Sequence, residues 1–149
     1  MTAPHILIID DDADSREAVR LALEDAGYHV TEAGNGRHGL EVLEQVHVDL
    51  VLLDLRMPVM SGAEFIDCLE RRGQAVPYGV VAMSGFLDAR RSPAKWFLPK
   101  PLDFSLLLAV VADFCGRGNI STLWAQKQKR DSLTAVSGAI RELIHRPVV

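Results

Sequence analysis

The sequence predicts an α/β fold: a doubly wound parallel sheet with helices on both faces. Three observations predict it. Strand-like and helix-like stretches alternate along the chain. The run Val48–Pro58, VDLVLLDLRMP, is branched and apolar through its middle, too short for a membrane span and too apolar for a strand with one wet face, so it reads as a strand buried on both faces. Acids stand where such strands end, at Asp10-Asp11-Asp12 and at Asp54.

The elements follow in order. His5–Ile9 (HILII) is an apolar strand that runs into Asp10. Asp14–Ala26 has helical spacing at Ala18, Leu21 and Ala22 and stops at Gly27, a good C-terminal cap. Asp14-x-x-Glu17 has capping-box spacing, so Asp14 reads as a cap and Asp12 as a bystander. Tyr28–Ala33 is polar and alternating, an edge-like strand, and Asn35–Val46 is a helix with Leu40, Val42, Leu43 and Val46 apolar. Asp49–Asp54 is the buried strand, and Pro58 ends any regular continuation. Ser61–Arg72 is a helix with Phe65, Ile66 and Leu69 on one face. Tyr78–Met83 and Lys95–Leu98 are the fourth and fifth strands. Asp103–Cys115 is a helix with Leu106, Leu107, Val110 and Val111 inward, ending at Gly116.

Composition limits the function classes. The chain has 149 residues, 48% hydrophobic and 24% charged, an ordinary globular composition that fits one domain with an appendage. A net charge of -4 gives no global basic field for nucleic acid. No stretch approaches the ~20 apolar residues that cross a bilayer. The start, MTAPHILIIDDD, has no basic region before its apolar run, so no signal peptide is expected. Cys68 and Cys115 lack metal-ligand spacing and read as reduced thiols, which with the rest points to a cytoplasmic protein. His5, His29, His38, His47 and His145 are scattered singly and read as surface or core residues.

In a doubly wound sheet the ligand site lies beyond the carboxyl ends of the strands. That explains an acid closing a buried strand: Asp54 reaches the rim while its strand stays inside. The first strand delivers Asp10 and Asp11 to the same rim, the fourth Ser84, the fifth Lys100-Pro101. Several carboxylates together need a counter-cation, and hard oxygens favour Mg²⁺. A carboxylate held there is a nucleophile toward phosphorus, giving an acyl phosphate. Lys100 would offset charge on the phosphoryl oxygens, and the Ser84 hydroxyl would donate to one of them.

Ile8-Ile9-Asp10-Asp11, Asp54 within DLRMP, Gly62, Ser84 after an apolar strand, and Lys100-Pro101 together resemble the receiver domain of two-component response regulators over about residues 5–116. The resemblance implies a flavodoxin-like sheet of order 2-1-3-4-5 and a phosphoacceptor signalling switch, not an enzyme acting on a separate metabolite. It implies Asp54 as phosphoacceptor, Asp11 and Asp54 as direct Mg²⁺ ligands, Asp10 acting partly through water, and the Arg56 backbone carbonyl as a further ligand. Ser84 is then the switch hydroxyl, Lys100 the phosphate-binding lysine, and Phe97 the aromatic that turns inward when Ser84 moves. The implied partners are a histidine kinase or histidine phosphotransfer protein and a downstream protein.

Two stretches depart from that pattern. Between Ser84 and Lys100, GFLDARRSPAKWFLP is several residues short of a full helix and carries Pro93, so the fourth helix is expected to be shortened or missing. Phosphorylation is then expected to order or reposition the Phe86–Ala94 loop. Residues 117–149 read as a helical tail. Leu133, Val136, Ile140 and Leu143 have 3-4-3 spacing, which suits packing on its own domain, docking on a partner or homodimerisation. The tail is too short for a DNA-binding domain, and the single basic stretch Gln126–Arg130 is weak evidence for nucleic acid, so neither DNA nor membrane is an expected partner.

One competing motif exists. Gly34-Asn35-Gly36-Arg37-His38-Gly39 is a literal G-x-G-x-x-G between a strand and a helix, with Asp54 about 20 residues on, the layout of a dinucleotide-binding module. It would sit on the second, polar strand and leave Asp10 and Asp11 unexplained, so a tight turn is the better reading of its glycines.

Overall fold

A computed structural model describes residues 2–72, 79–85 and 96–116. The expectations for the interval after Ser84 and for the tail 117–149 fall largely outside the described residues.

Five strands form one parallel sheet: β1 (His5–Ile9), β2 (His29–Ala33), β3 (Leu50–Asp54), β4 (Gly79–Ser84) and β5 (Trp96–Pro99), in the order β2-β1-β3-β4-β5. The order expected from the sequence is the order found. Four helices occur among the described residues: α1 (Ala13–Asp25), α2 (Gly36–Gln45), α3 (Gly62–Arg71) and α4 (Phe104–Phe114). β1 matches its expected bounds; the other elements differ by one residue at one or both ends, the usual uncertainty of helix and strand termini.

The sheet divides its side chains by the two-residue alternation of strands. Ile6, Ile8, Leu50, Leu52, Val81, Met83 and Leu98 face α1 and α4, where Val19, Leu23, Leu107, Val110 and Val111 meet them. Leu7, Ile9, Val51 and Leu53 face α2 and α3, where Leu40, Phe65, Ile66 and Leu69 meet them. β3 is buried at every position because helices cover both of its faces. Each fully buried Leu or Ile contributes about 1.5–3 kcal/mol, and this two-sided core holds the strand ends in register.

Two sequence expectations are corrected. The cap of α1 is Asp12, not Asp14: Asp12 has extended backbone and its carboxylate accepts from Asp14 N and Ser15 N, while Asp14 lies inside the first turn. Both acids suit the spacing; backbone geometry decides between them. The inward face of α1 is Val19 and Leu23, whereas Leu21 is 53% exposed. The 18/21/22 stripe is rotated by one residue from the true one, and the rotation buries the branched pair Val19 and Leu23. Elsewhere the local logic holds. Asn35 caps α2, and Ser61 with Glu64 forms a reciprocal capping box on α3. Gly27, at φ 89, takes the left-handed turn that ends α1.

β2 is an edge strand, and α1 holds it by charge. Glu32 Oε1 takes Arg16 Nε at 3.0 Å and Oε2 takes Arg20 Nε at 3.1 Å. Two of the three glycines of the G-x-G-x-x-G, Gly36 and Gly39, are used for packing. A Cβ on Gly39 would lie 2.4 Å from Ile9 Cδ1, and one on Gly36 would lie 2.9 Å from Met60 Cγ. They serve side chains of this chain rather than a pyrophosphate, and the strand before them lies at the edge, so the dinucleotide reading loses its basis.

Candidate functional site

Parallel strands deliver their carboxyl ends to one rim, and four strand ends meet there. Asp10 follows β1 and is 1% exposed; Asp54 closes β3 at 5%; Ser84 closes β4 at 2%. Lys100 follows β5 and is docked by its backbone, Lys100 N donating to Ser84 O at 2.8 Å. Its ammonium reaches inward, with Nζ 3.0 Å from Asp10 Oδ2 and 3.5 Å from Asp54 Oδ2. The Lys100–Pro101 peptide is cis.

Local hydrogen bonds orient the acids. Asp12 N donates to Asp10 Oδ1 at 2.9 Å, and Arg56 N donates to Asp54 Oδ1 at 3.2 Å. Leu55 N donates to Met83 O, extending the β3–β4 pairing past Asp54. Gly62 is packed tightly behind it: a Cβ there would lie 2.6 Å from the Asp54 carbonyl oxygen and 2.7 Å from Leu55 Cα, so only glycine lets α3 start this close to the end of β3. Between them the loop bends sharply. Met60 N donates to Pro58 O across Val59, a γ-turn with Val59 at φ 71 and 73% exposed.

Carboxylate oxygens of Asp10, Asp11 and Asp54 all lie within 4.8 Å of one another. Burial pushes the Asp54 carboxyl up to about 6; the Lys100 charge opposes this and the Asp10 charge adds to it. Burial alone would lower the Lys100 ammonium, but the hydrogen bond and charge of Asp10, and then Asp54, outweigh it and hold Lys100 above the ordinary value. Three crowded acids offer hard oxygen ligands with charge to spare for one lysine, so the residues fit a small divalent cation.

The structure brings Asp10, Asp11, Asp54, Ser84 and Lys100 to one rim. Arg56 is exposed beside Asp54. Phe97 is not at the rim. It pairs with Ala82 two residues below Ser84 and is buried. Sequence reasoning missed Arg16, whose Nη1 donates to the Asp10 carbonyl at 2.7 Å. Only the side-by-side placement of β1 and β2 gives it that role. A shallow cavity of about 310 Å³, lined by Ser15, Ala18, Lys100, Pro101, Leu102 and Phe104, opens on the α1 side of Lys100. Among the described residues, no helix is long and apolar enough to cross a membrane.

A five-stranded 2-1-3-4-5 sheet with an acid triad and a lysine at its carboxyl rim defines a phosphoacceptor switch domain. The family model of the response regulator receiver domain matches residues 6–112, and the chain belongs to that family. It is 30% identical over 148 residues to the transcriptional activator protein PfeR of Pseudomonas aeruginosa, covering 97% of this chain and 48% of that protein. It is 31% identical over 149 residues to the probable transcriptional regulatory protein SilR of Salmonella typhimurium, covering 97% and 65%. The chain thus spans about half and somewhat under two thirds of these relatives. Among solved structures it is similar to the chemotaxis protein CheY4 of Vibrio cholerae, with TM-score 0.68 and 26% identity over 76% of this chain and 99% of that one.

Proposed function

We propose that Asp54 accepts a phosphoryl group from a phosphohistidine of a partner kinase or phosphotransfer protein, and that the acyl phosphate switches a protein-binding surface. The observation that carries this is the crowding of Asp10, Asp11 and Asp54 around Lys100 Nζ. An Asp54 oxygen attacks phosphorus, the P–O bond forms, the donor P–N bond breaks, and imidazole leaves with the electron pair of the broken bond. At about 6, the Asp54 carboxyl is mostly ionised at neutral pH and ready to attack.

Asp11 and Asp54 are read as direct Mg²⁺ ligands, Asp10 as a ligand through water and the Arg56 carbonyl as a fourth contact. Bound there, Mg²⁺ would supply positive charge against the phosphoryl oxygens. Lys100 is already held by Asp10 and needs only a small displacement to pair with a phosphoryl oxygen. The Ser84 hydroxyl donates to another, and Phe97, in register with Ala82 two residues before Ser84, transmits the change. The cavity beside Lys100 suits the apolar side chains of a helical donor, with Phe104 at 40% exposure as its anchor.

Residues 1–116 form the switching unit in this reading, and 117–149 the element that docks on a partner or pairs with a second chain. The support for the latter is the Leu133, Val136, Ile140, Leu143 spacing. Phosphorylation assayed with a phosphohistidine donor tests the main reading: transfer to wild type and none to Asp54→Asn is expected. Equal labelling of both would refute it.

A further inference from the structure

We propose that Arg16 is a positioning residue for the acidic site, acting through the peptide unit that joins Asp10 to Asp11. The inference rests on reading Asp10, Asp11 and Asp54 as the Mg²⁺ cradle. Asp10 lies one residue past the last β1 register pairs, Ile9 with Ala33 and Ile9 with Leu53. Its N–H still donates to Ala33 O at 3.1 Å, but its carbonyl is beyond the ladder. Arg16 Nη1 fills that role at 2.7 Å. Asp10 is 1% exposed, so a carbonyl without this donor would be poorly reached by water.

The guanidinium is fixed at its other side too. Arg16 Nε donates to Glu32 Oε1 at 3.0 Å, and Glu32 is braced from behind by Arg20. A planar fork held at two points cannot pivot freely, which a lysine ammonium in its place could. The peptide plane it pins carries Asp10 on one Cα and Asp11 on the next. Tilting that plane moves both carboxylates against Asp54, which hangs from a different strand. Mg²⁺ tolerates little deviation from octahedral geometry, so a small tilt weakens it. Arg16 touches neither the ion nor the reacting atoms; it sets where two of the three acids stand.

The test is calorimetric titration of Mg²⁺ into the full chain at fixed pH, paired with urea unfolding. Arg16→Ala is expected to weaken Mg²⁺ binding by roughly 10- to 100-fold, as loss of a residue that orients a ligand does. Arg16→Lys and Glu32→Gln are expected to fall between it and wild type. Val110→Ala is the control: it shortens a buried side chain of α4 and leaves the Arg16, Arg20 and Glu32 contacts in place. It is expected to lower the urea midpoint while leaving the Mg²⁺ isotherm within about twofold. Superimposable isotherms for wild type and Arg16→Ala would overturn the inference, since a purely structural residue moves the midpoint alone. If Arg16→Ala fails to fold, Arg16→Lys and Glu32→Gln decide, and wild-type affinity in both would overturn it. A wild-type chain that takes no Mg²⁺ would remove the underlying reading and this inference with it, a result distinct from equal affinities.

Discussion

Lys100 Nζ donates to Asp10 Oδ2 at 3.0 Å, joining the ends of β1 and β5 across 90 residues of sequence. β3 and β4 lie between those two strands, so the contact spans the centre of the sheet over the mouth of the site. It links the fold to the proposed chemistry: the ammonium that neutralises buried acids at rest is the one we propose meets phosphate.

Removing it therefore affects both. Lys100→Ala leaves Asp10 and Asp54 buried without the ammonium that offsets their charge. A fully buried broken pair costs roughly 3–5 kcal/mol; with Lys100 28% exposed, a loss of about 1–3 kcal/mol is expected. Urea unfolding at neutral pH should show it, with saturating Mg²⁺ recovering part of the loss by mass action. Phosphorylation rate by a small phosphodonor should fall at least about tenfold.

Asp54 makes stability pH-dependent with an unusual sign for a carboxylate. Its folded value is raised from 3.8 to about 6. Below pH 3.8 it is protonated in folded and unfolded chains alike, and no penalty exists. As pH rises through that value to about 6, the unfolded chain releases the proton first and the folded state loses relative stability. Above about 6 the penalty is fully present. Asp54→Asn should therefore be more stable than wild type at pH 7.5 without Mg²⁺, by on the order of 2–3 kcal/mol. That advantage should vanish toward pH 4. Thermal unfolding of both proteins across this range measures it, and a constant difference would refute it.

Gly62 tests how tightly the site is built. Its added Cβ would strike the backbone of Asp54 and Leu55, which cannot rotate away. Gly62→Ala is expected to cost about 1–3 kcal/mol in urea unfolding and to slow phosphorylation, because α3 and the Asp54 strand end must separate.

Val59 holds strain that a glycine would not. A β-branched residue at positive φ is an outlier costing on the order of 1–3 kcal/mol. Val59→Gly gives back some unfolded-state entropy, so a net gain of about 1 kcal/mol in denaturant unfolding is expected. Its side chain is exposed, so no core packing is lost.

Much of the fold was legible because four of the five strands are local apolar runs and each helix carries its own cap or glycine stop. The HILII and LVLLD runs announce buried strands, and parallel strands bring Asp10, Asp11, Asp54, Ser84 and Lys100 to one rim whatever their side-chain details. What was not legible depends on neighbours far away in sequence. Asp12 and Asp14 are chemically equal caps, separated only by backbone angles. The burying face of α1 depends on what β1 presents to it. Gly36 and Gly39 pass for a phosphate-binding motif until Met60 and Ile9 are seen against them. Arg16 reads as an ordinary helix charge until β2 sets Glu32 beside it and β1 leaves the Asp10 carbonyl beyond its ladder.

The central claim is that Asp54 is a Mg²⁺-dependent phosphoacceptor. Intact-mass measurement after incubation with acetyl phosphate tests it most directly, with and without Mg²⁺, on wild type and Asp54→Asn. One phosphoryl adduct on wild type that requires Mg²⁺ and is missing from Asp54→Asn is the predicted result. No adduct on wild type with Mg²⁺ present, or the same adduct on Asp54→Asn, would contradict it.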